Sequence, residues 1–356
     1  MPASEHLPLA QFQQCLNTVL ERDGGRALQY SPQMVPLREW IASYMNRRGV
    51  QCDADDVFIT SGNQQGLSLL SRLLLNRDDS AVIEEITFTG IQQVTAGRGA
   101  HVLTVPTDLQ TGVDLDALED AFRAQPRLAI LIPDFHNPLG VSLSADKRRE
   151  VAALAARYGV ALVEDDPYSP LRFAGETLPP IKAYDEAGVV FYLGSFSKML
   201  APAMRLGWMV APRALMPKIT VLRESLDLES STLIQRAVCE FVTQGLLEPH
   251  LQQLNAVNRE RCAAMMDALN EHFSDMAHWT QPEGGLFVWL TLPETIDTWA
   301  LFEQAVARQV VYIPGSAFAV EGGYHNTMRL NFSNVSPAHI HEGVKRLAEV
   351  IKTWTR

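Results

Sequence analysis

Apolar and polar positions follow a recurring order through the middle of the chain. Short runs rich in β-branched residues alternate with longer segments in which apolar residues recur every three or four positions. Several of the short runs are apolar at nearly every position, which is typical of strands covered by helices on both faces. These runs are DVFIT, SAVIEE, AHVLTVP, LAILIPDF, VALVEDD and GVVFYLG. The pattern predicts an α/β fold with a mostly parallel central sheet and helices on both faces.

Two of the intervening helices show clear sequence signals. In QQGLSLLSRLLL, the side chains of Leu67, Leu70 and Leu74 fall on one helical face. In SADKRREVAALAARYG, Ser144 occupies the position of an N-cap and Gly159 stands where the helix should end. Both segments connect predicted strands, as crossover helices of a parallel sheet do.

The last third of the chain has a different order. A helical pattern from about Leu246 to Phe273 precedes three strand-like runs, GGLFVWLTLP, VVYIPGS and TMRLNFS, and a helix over Pro337 to Trp354 follows. This mixture is typical of a smaller α+β domain. We expect a large α/β domain over 26–255, and a small domain formed by 1–25 together with 256–356.

Composition narrows the class of protein. The 356 residues are 47% hydrophobic and 20% charged, and the net charge is −11. An acidic chain without a basic cluster is not typical of a nucleic-acid-binding surface. The four cysteines lack the paired spacing of a metal or redox site, and no apolar run reaches the roughly 20 residues that span a bilayer. We therefore expect a cytoplasmic protein with no nucleic-acid, membrane or metal partner.

Four polar segments follow predicted strands, where ligands gather in open α/β sheets. TSGNQQG leads into a helix whose first N–H groups suit an anion, although it is also an ordinary capped helix start. HNPLG holds Asn137 extended before a proline, so that its amide projects from a turn or simply completes it. In VEDDPY, one acid among Glu164, Asp165 and Asp166 is expected to face the cleft, unless the loop is merely solvated.

The fourth segment, GSFSKMLAPAMRLGW, places a lysine directly after a buried strand. A lysine whose pKa is lowered by burial or cationic neighbours can form a Schiff base with a carbonyl group. Ser195, Ser197 and Arg205 around Lys198 would suit a phosphate dianion. The alternative is a structural lysine that extends to the surface.

Taken in order, these segments resemble the fold-type I pyridoxal phosphate enzymes of the class I/II aminotransferase family. The likeness is strongest to the branch with 2-aminoadipate aminotransferases and the aminotransferase domains of MocR regulators. It covers nearly the whole chain, because YSPQMVPLREWIASYMNRRG, EGGLFVWL, YIPGSAF and MRLNFS also match. The ordered set is far more specific than any one of its motifs.

The resemblance implies a role for each matching residue. Lys198 would form the internal aldimine with pyridoxal 5'-phosphate and later move a proton, and Asp165 would keep the pyridine nitrogen protonated. Tyr168 and Asn137 would hydrogen-bond the phenolic oxygen of the cofactor. The other implied cofactor-binding residues are Gly62, Asn63, Gln64, Phe88, Ser195, Ser197, Arg205 and, from the neighbouring subunit of a homodimer, Tyr30. Phe88 would stack on the cofactor ring, unless it is an ordinary core residue.

Arg329 is the implied substrate residue. In TMRLNFS it lies on the strand face opposite Met328 and Leu330, and its fork matches a carboxylate bidentately. The family uses this position for the α-carboxylate, with Asn137 and Tyr30 also near the substrate. A surface arginine on a half-exposed strand is the alternative.

The sequence departs from the family in two places. Relatives usually have an N-terminal segment whose glycine lines the substrate pocket, whereas this chain starts almost at the helix LAQFQQCLNTVL. The segment YSPQMVPLR is also shorter than usual and lacks glycine. We therefore expect the cofactor chemistry to be kept, while these departures leave the identity of the substrate undetermined. No winged-helix segment precedes the motifs, so a full-length MocR regulator is not expected.

The predicted function is transfer of an amino group between an α-amino acid and a 2-oxo acid. One alternative keeps the cofactor but directs the carbanion to β-elimination, decarboxylation, racemisation or oxidation. Another is a binding domain of MocR type that holds the cofactor or an effector without turnover.

Overall fold

The computed structural model describes residues 2–354. The ends of the predicted small domain, residue 1 and residues 355–356, lie outside this range. The helices are α1 Leu9–Asp23, α2 Val35–Arg47, α3 Asn63–Leu74, α4 Thr89–Ala96, α5 Leu115–Arg123, α6 Ala145–Tyr158, α7 Phe196–Met199, α8 Met216–Asp227, α9 Thr232–Thr243, α10 Leu247–Phe273, α11 Thr298–Ala307 and α12 Pro337–Trp354. The strands are β1 Val57–Thr60, β2 Ser80–Glu84, β3 His101–Val105, β4 Thr107–Asp108, β5 Gly112–Val113, β6 Leu128–Leu131, β7 Ala161–Asp166, β8 Val190–Ser195, β9 Gly207–Val210, β10 His278–Trp279, β11 Phe287–Thr291, β12 Ile313–Pro314 and β13 Thr327–Asn331.

A seven-stranded sheet with the order β1-β9-β8-β7-β6-β2-β3 forms the centre of the fold. The five strands from β8 to β3 in this order are parallel, and β9 runs antiparallel to both of its neighbours. Successive residues of β6 lie in two different core clusters, Ile130 on one face and Leu131 on the other. Both faces are therefore buried, which explains the unbroken apolar runs and confirms the predicted α/β fold.

The last third of the chain forms a second sheet, with the antiparallel order β10-β11-β13-β12. The pairing of β11 with β13 places Phe287 opposite Asn331 and Trp289 opposite Arg329. Helices α10 and α12 cover one face of this sheet, where Met328 and Leu330 join their core. The strand predicted in VVYIPGS is limited to Ile313–Pro314. It ends where a 3-10 turn begins at Gly315, a position at which a Cβ would overlap Thr327.

The predicted ends of three helices agree with the structure. Ser144 accepts a hydrogen bond from the backbone N–H of Lys147, and Gly159 ends α6 in the left-handed conformation. Helices α10 and α12 begin and end within one residue of the predicted positions.

The N-terminal helix α1 packs beside the large sheet. Its buried Cys15 shares a core cluster with Leu37 of α2 and Phe241 of α9. Ahead of the helix, Glu5 accepts a hydrogen bond from Arg261 of α10. The two-domain division at residues 25 and 256 stays a prediction, and the packing of α1 favours grouping this helix with the large sheet. No helix within residues 2–354 is long and apolar enough to cross a membrane.

Candidate active site

The carboxyl ends of β6, β7 and β8 meet beside the second sheet and enclose a cavity of about 300 Å³. It contains residues from all four polar segments that the sequence singled out. The predicted residues that line it are Asn63, Gln64, Phe88, Asn137, Asp165, Tyr168, Ser195, Ser197, Lys198, Arg205 and Arg329. Segments up to 266 residues apart in sequence thus converge on this cavity. Most of them follow strands of the central sheet, whose parallel strands end at one edge, whereas Arg329 comes from β13 of the second sheet.

Asp165 is the acid at the end of β7 that faces this cavity. Its Oδ1 accepts a hydrogen bond of 2.6 Å from Asn63 Nδ2. Burial raises the pKa of Asp165 to about 7, although Asn63 and the charge of Lys198 act in the opposite direction. Such a carboxylate gains from a cation or a protonated ring nitrogen, because pairing offsets the cost of its burial.

The two neighbouring acids have structural partners instead. Glu164 accepts hydrogen bonds from the backbone N–H groups of Ile181 and Lys182, at 2.7 and 2.9 Å. Asp166 pairs with Arg48 at 3.0 Å and also accepts the Tyr192 hydroxyl at 2.8 Å. The sequence left the choice among the three acids open, and the structure turns only Asp165 toward the cavity.

Lys198 lies on α7, a single turn that directly follows β8. Ser195 caps this turn by accepting a hydrogen bond of 3.0 Å from the Ser197 N–H. Burial, together with the positive charges of Arg205 and Arg329, lowers the pKa of Lys198 to about 8. A larger fraction of neutral amine is therefore present near pH 7 than for an exposed lysine, which a nucleophile for carbonyl groups requires.

Arg205 and its neighbours form a cradle for an anion. Its Nη1 donates to Ser197 Oγ at 3.3 Å and its Nη2 donates to the Ser61 carbonyl at 3.1 Å. Gly62, which precedes α3, has a φ of 90°, and a Cβ there would lie 2.7 Å from Arg205 Nη2. Glycine therefore permits both the backbone conformation and the close approach of the guanidinium.

Arg329 is held from three sides at the opposite sheet. Its Nη1 donates to Asn137 Oδ1 at 2.7 Å, and its guanidinium lies 4.1 Å from the ring centre of Phe287 and 4.9 Å from that of Phe318. Its Nε is buried without a hydrogen-bond partner in residues 2–354. Burial lowers the pKa of Arg329 to about 10, so the side chain stays charged at neutral pH.

The contact with Arg329 also determines how the Asn137 amide is turned. A guanidinium can only donate, so the atom of Asn137 that faces it is the oxygen. The NH₂ group then faces away from Arg329, and Asn137 also hydrogen-bonds Tyr168. Burial raises the pKa of Tyr168, which keeps the phenol neutral as a donor.

Phe88 and Gln64 form another part of the wall. Phe88 stands at the N-cap of α4, and a Cβ on Gly90 would overlap its ring. Gln64 Nε2 donates to the Gly90 carbonyl at 3.2 Å, so its amide supports the same turn. Roles of both residues toward the cofactor stay predictions.

Tyr30 lies apart from this cavity. Its side chain is 77% exposed and lines a separate surface depression with Arg38, Arg213 and Glu229. An exposed tyrosine is compatible with the predicted contact to a neighbouring subunit, which stays a prediction.

Sequence reasoning missed several wall residues. Leu67, Ile132, Pro167, Phe287 and Asn331 also line the cavity. The alternation in GGLFVWLTLP indicates which side chains share a strand face, but not which strand it pairs with. The position of Phe287 beside Arg329 follows from the register of β11 and β13.

The residues present fit pyridoxal phosphate. One cavity contains an amine of lowered pKa, a buried carboxylate, and a guanidinium with two serine hydroxyls, which suit the aldehyde, the pyridine nitrogen and the phosphate respectively. Two buried polar atoms beside it, Asn63 Oδ1 and Arg329 Nε, have no partner in the described part of the chain. Buried polar atoms of this kind usually have a partner in the working protein.

The fold and cavity are those of a pyridoxal-phosphate-dependent transferase of fold type I. Residues 4–347 match the family aminotransferase class I and II, and the chain belongs to this family. The aromatic-amino-acid aminotransferase 1 of Thermococcus litoralis is 39% identical over 99% of this chain and 86% of its own length. The 2-aminoadipate transaminase of Thermus thermophilus is 35% identical over 99% and 88%.

Solved structures agree with this assignment. The kynurenine aminotransferase of Pyrococcus horikoshii superimposes with a TM-score of 0.95 and 36% identity, over 100% of this chain and 90% of that one. Helix-turn-helix transcriptional regulators are also among the relatives, as the predicted branch implies. Pyridoxal phosphate as cofactor and transamination as the reaction are therefore confirmed.

Proposed function

We propose that Lys198, Asp165 and Arg329 carry the transfer of an amino group from an α-amino acid to a 2-oxo acid in this cavity. The observation that carries the proposal is their convergence: an amine of lowered pKa, a buried acid and a guanidinium held by Asn137 line one cavity. The reaction needs a base, an acidic partner for the cofactor ring and a group that binds the substrate carboxylate, and these three residues would supply them.

Pyridoxal phosphate, when bound, supplies an aldehyde that reacts with amines and a ring that accepts electrons from the substrate carbon. Asp165 would hold the proton on the ring nitrogen, because its buried carboxylate is stabilised by a positive partner. Asn63 keeps the carboxylate turned to the cavity through its bond to Oδ1. Arg205, Ser195 and Ser197 would bind the phosphate.

Arg329 would bind the α-carboxylate of the substrate. Its Nη1 already donates to Asn137, and Nε is the buried donor that still requires an acceptor. A carboxylate beside Nε and Nη2 would satisfy that donor with two parallel hydrogen bonds. The two rings that flank the guanidinium limit its rotation.

Lys198 would move the proton at its Nζ between the α-carbon and the cofactor. The amine must be neutral to accept a proton, and a pKa of about 8 makes this accessible near neutral pH. Tyr168, with its proton retained, would donate to the phenolic oxygen of the cofactor, and the Asn137 NH₂ group would assist.

We propose further that the protein acts in the cytoplasm as a homodimer with shared active sites. Tyr30, Leu28, Val35 and Leu228 are exposed, and three of them line one broad depression. A second copy that covers this surface would bury apolar area and would bring its Tyr30 to the phosphate of the first.

Borohydride reduction of the loaded enzyme, followed by peptide mass analysis, tests the role of Lys198. We expect a pyridoxyl group on Lys198 and none on Lys182, which is paired with Asp185. An unlabelled Lys198 peptide from protein that retains the cofactor would contradict the proposal.

A half-reaction tests the outcome for the substrate. Amino acids added without an oxo acid, including aromatic ones, 2-aminoadipate and kynurenine, should convert the cofactor once to its amine form. Continuous release of ammonia or carbon dioxide would show that one of the alternative reactions predominates.

A further inference from the structure

Phe135 occupies a backbone conformation that its residue type rarely adopts. Its φ is 47°, in the left-handed region, and its side chain is only 1% exposed. A bulky residue in this region is strained and persists only where the surroundings enforce it. Such positions concentrate at functional sites, so the surroundings of Phe135 require an explanation.

The ring of Phe135 is wedged against two glycines that precede β11. A Cβ on Gly284 would overlap the end of the ring, at Cζ and both Cε atoms. A Cβ on Gly285 would lie 2.5 Å from Phe135 Cβ. The two glycines therefore leave the space that the aromatic ring fills.

Two arginines hold the preceding residue, Asp134. Arg148, which is fully buried, donates to both of its carboxylate oxygens at 2.7 and 2.9 Å. Arg172 donates to Oδ1 at 3.3 Å and also contacts Glu283 at 2.6 Å, with its guanidinium 4.7 Å from the ring centre of Phe135. Arg172 thus links the loop that contains Asp134 and Phe135 to the segment that contains Glu283 and the two glycines.

The loop that contains Phe135 and the segment that contains Gly284 and Gly285 each lead to a contact of Arg329. Asn137, two residues after Phe135, accepts its Nη1 hydrogen bond at 2.7 Å. Phe287, two residues after Gly285, packs on its guanidinium at 4.1 Å. The loop that carries the first contact and the strand that carries the second therefore meet at the ring of Phe135.

We propose that Phe135 is a positioning residue. It holds the loop of Asn137 and the strand of Phe287 in a fixed relative position, and thereby orients the Arg329 guanidinium for a carboxylate. This rests on the proposed binding of the substrate carboxylate by Arg329. A ring that merely filled the core would affect stability and leave carboxylate affinity unchanged, so the two roles give different results.

A double-mutant cycle tests the contact directly. Gly284→Ala adds a methyl group where the end of the ring lies, and Phe135→Leu removes those end atoms. The dissociation constant of 3-phenylpropanoate, an unreactive carboxylate, is measured by calorimetry on the cofactor-loaded enzyme. We expect each single variant to weaken binding about tenfold, because misplacement of a binding group by an ångström is costly. The double variant should bind more tightly than Gly284→Ala alone, since leucine makes room for the methyl group.

Three controls separate the possible failures. Gly343→Ala, at a half-buried position of α12 with no atom within 4 Å of the added Cβ, should leave the affinity unchanged. Phe122→Leu, another fully buried phenylalanine, should lower thermal stability without changing the affinity. Arg329→Leu should weaken binding by about a hundredfold.

The results distinguish the two levels of the argument. If Arg329→Leu binds the carboxylate as the wild type does, the proposed function of Arg329 is wrong. If Arg329→Leu weakens binding while Gly284→Ala and Phe135→Leu retain wild-type affinity, the positioning role of Phe135 is wrong. Failure of Phe135→Leu to improve binding in the Gly284→Ala background would also overturn it.

Discussion

The buried amine of Lys198 should destabilise the folded protein when no cofactor is bound. Folding lowers its pKa from 10.5 to about 8, mainly because burial disfavours the charged form. The difference corresponds to about 3 kcal/mol at pH 7, since each pKa unit is worth about 1.4 kcal/mol. Water reaches part of the side chain, so this figure is an upper value. Lys198→Met should therefore be more stable than the wild type in the cofactor-free form.

The pH dependence identifies the source of that gain. Below pH 8 the amine is protonated in both states, and the full cost is present. Between about pH 8 and 10.5 the unfolded chain binds more protons than the folded one, so the stability of the wild type rises with pH relative to the variant. The stability advantage of Lys198→Met over the wild type should decrease over this range. At its upper end, only the stabilisation from burial of the apolar methionine should be left.

Urea unfolding of both proteins between pH 7 and 10, at a fixed protein concentration, measures this difference. Lys218→Met is the matched control, because Lys218 is exposed and its replacement should leave the midpoint unchanged. The reasoning is refuted if Lys198→Met is no more stable at pH 7, or if its advantage stays constant up to pH 10.

Three further substitutions test the roles of individual site residues. Asp165→Asn should lower kcat about a hundredfold or more while the protein stays folded, because the ring nitrogen loses its acidic partner; a near-normal kcat would contradict the choice of this acid. Arg329→Leu should raise KM for both amino acid and oxo acid, by about 3 kcal/mol or roughly a hundredfold, with cofactor affinity unchanged. Gly62→Ala should weaken cofactor binding in a fluorescence titration, since its Cβ would displace Arg205 and its φ of 90° disfavours alanine; unchanged affinity would exclude this cradle.

The sequence by itself predicted the fold class and most of the polar residues that line the cavity. Both predictions depend on residue types and their spacing within short segments. Apolar runs reveal strands covered on both faces, and Ser144 and Gly159 mark helix ends through hydrogen bonds within a few residues. The order of the motifs around Asn137, Asp165 and Lys198 was specific enough to indicate the family. These features can be recognised without knowing which distant segments meet.

Only the tertiary structure decided which of those residues face the cavity. Glu164, Asp165 and Asp166 look alike in sequence, and they differ because the backbone amides of Ile181 and Lys182 and the charge of Arg48 satisfy the first and third. The antiparallel direction of β9 and the pairing of Phe287 opposite Asn331 likewise depend on contacts between distant segments.

The packing of Phe135 against Gly284 and Gly285 also depends on the tertiary structure. Sequence shows a phenylalanine before His136 and two glycines before Leu286, but nothing links them until the chain folds. Residue types and their local spacing thus determined which chemistry the chain could perform. Burial, register and long-range pairing, which depend on segments more than 100 residues apart, decided which side chains face the cavity.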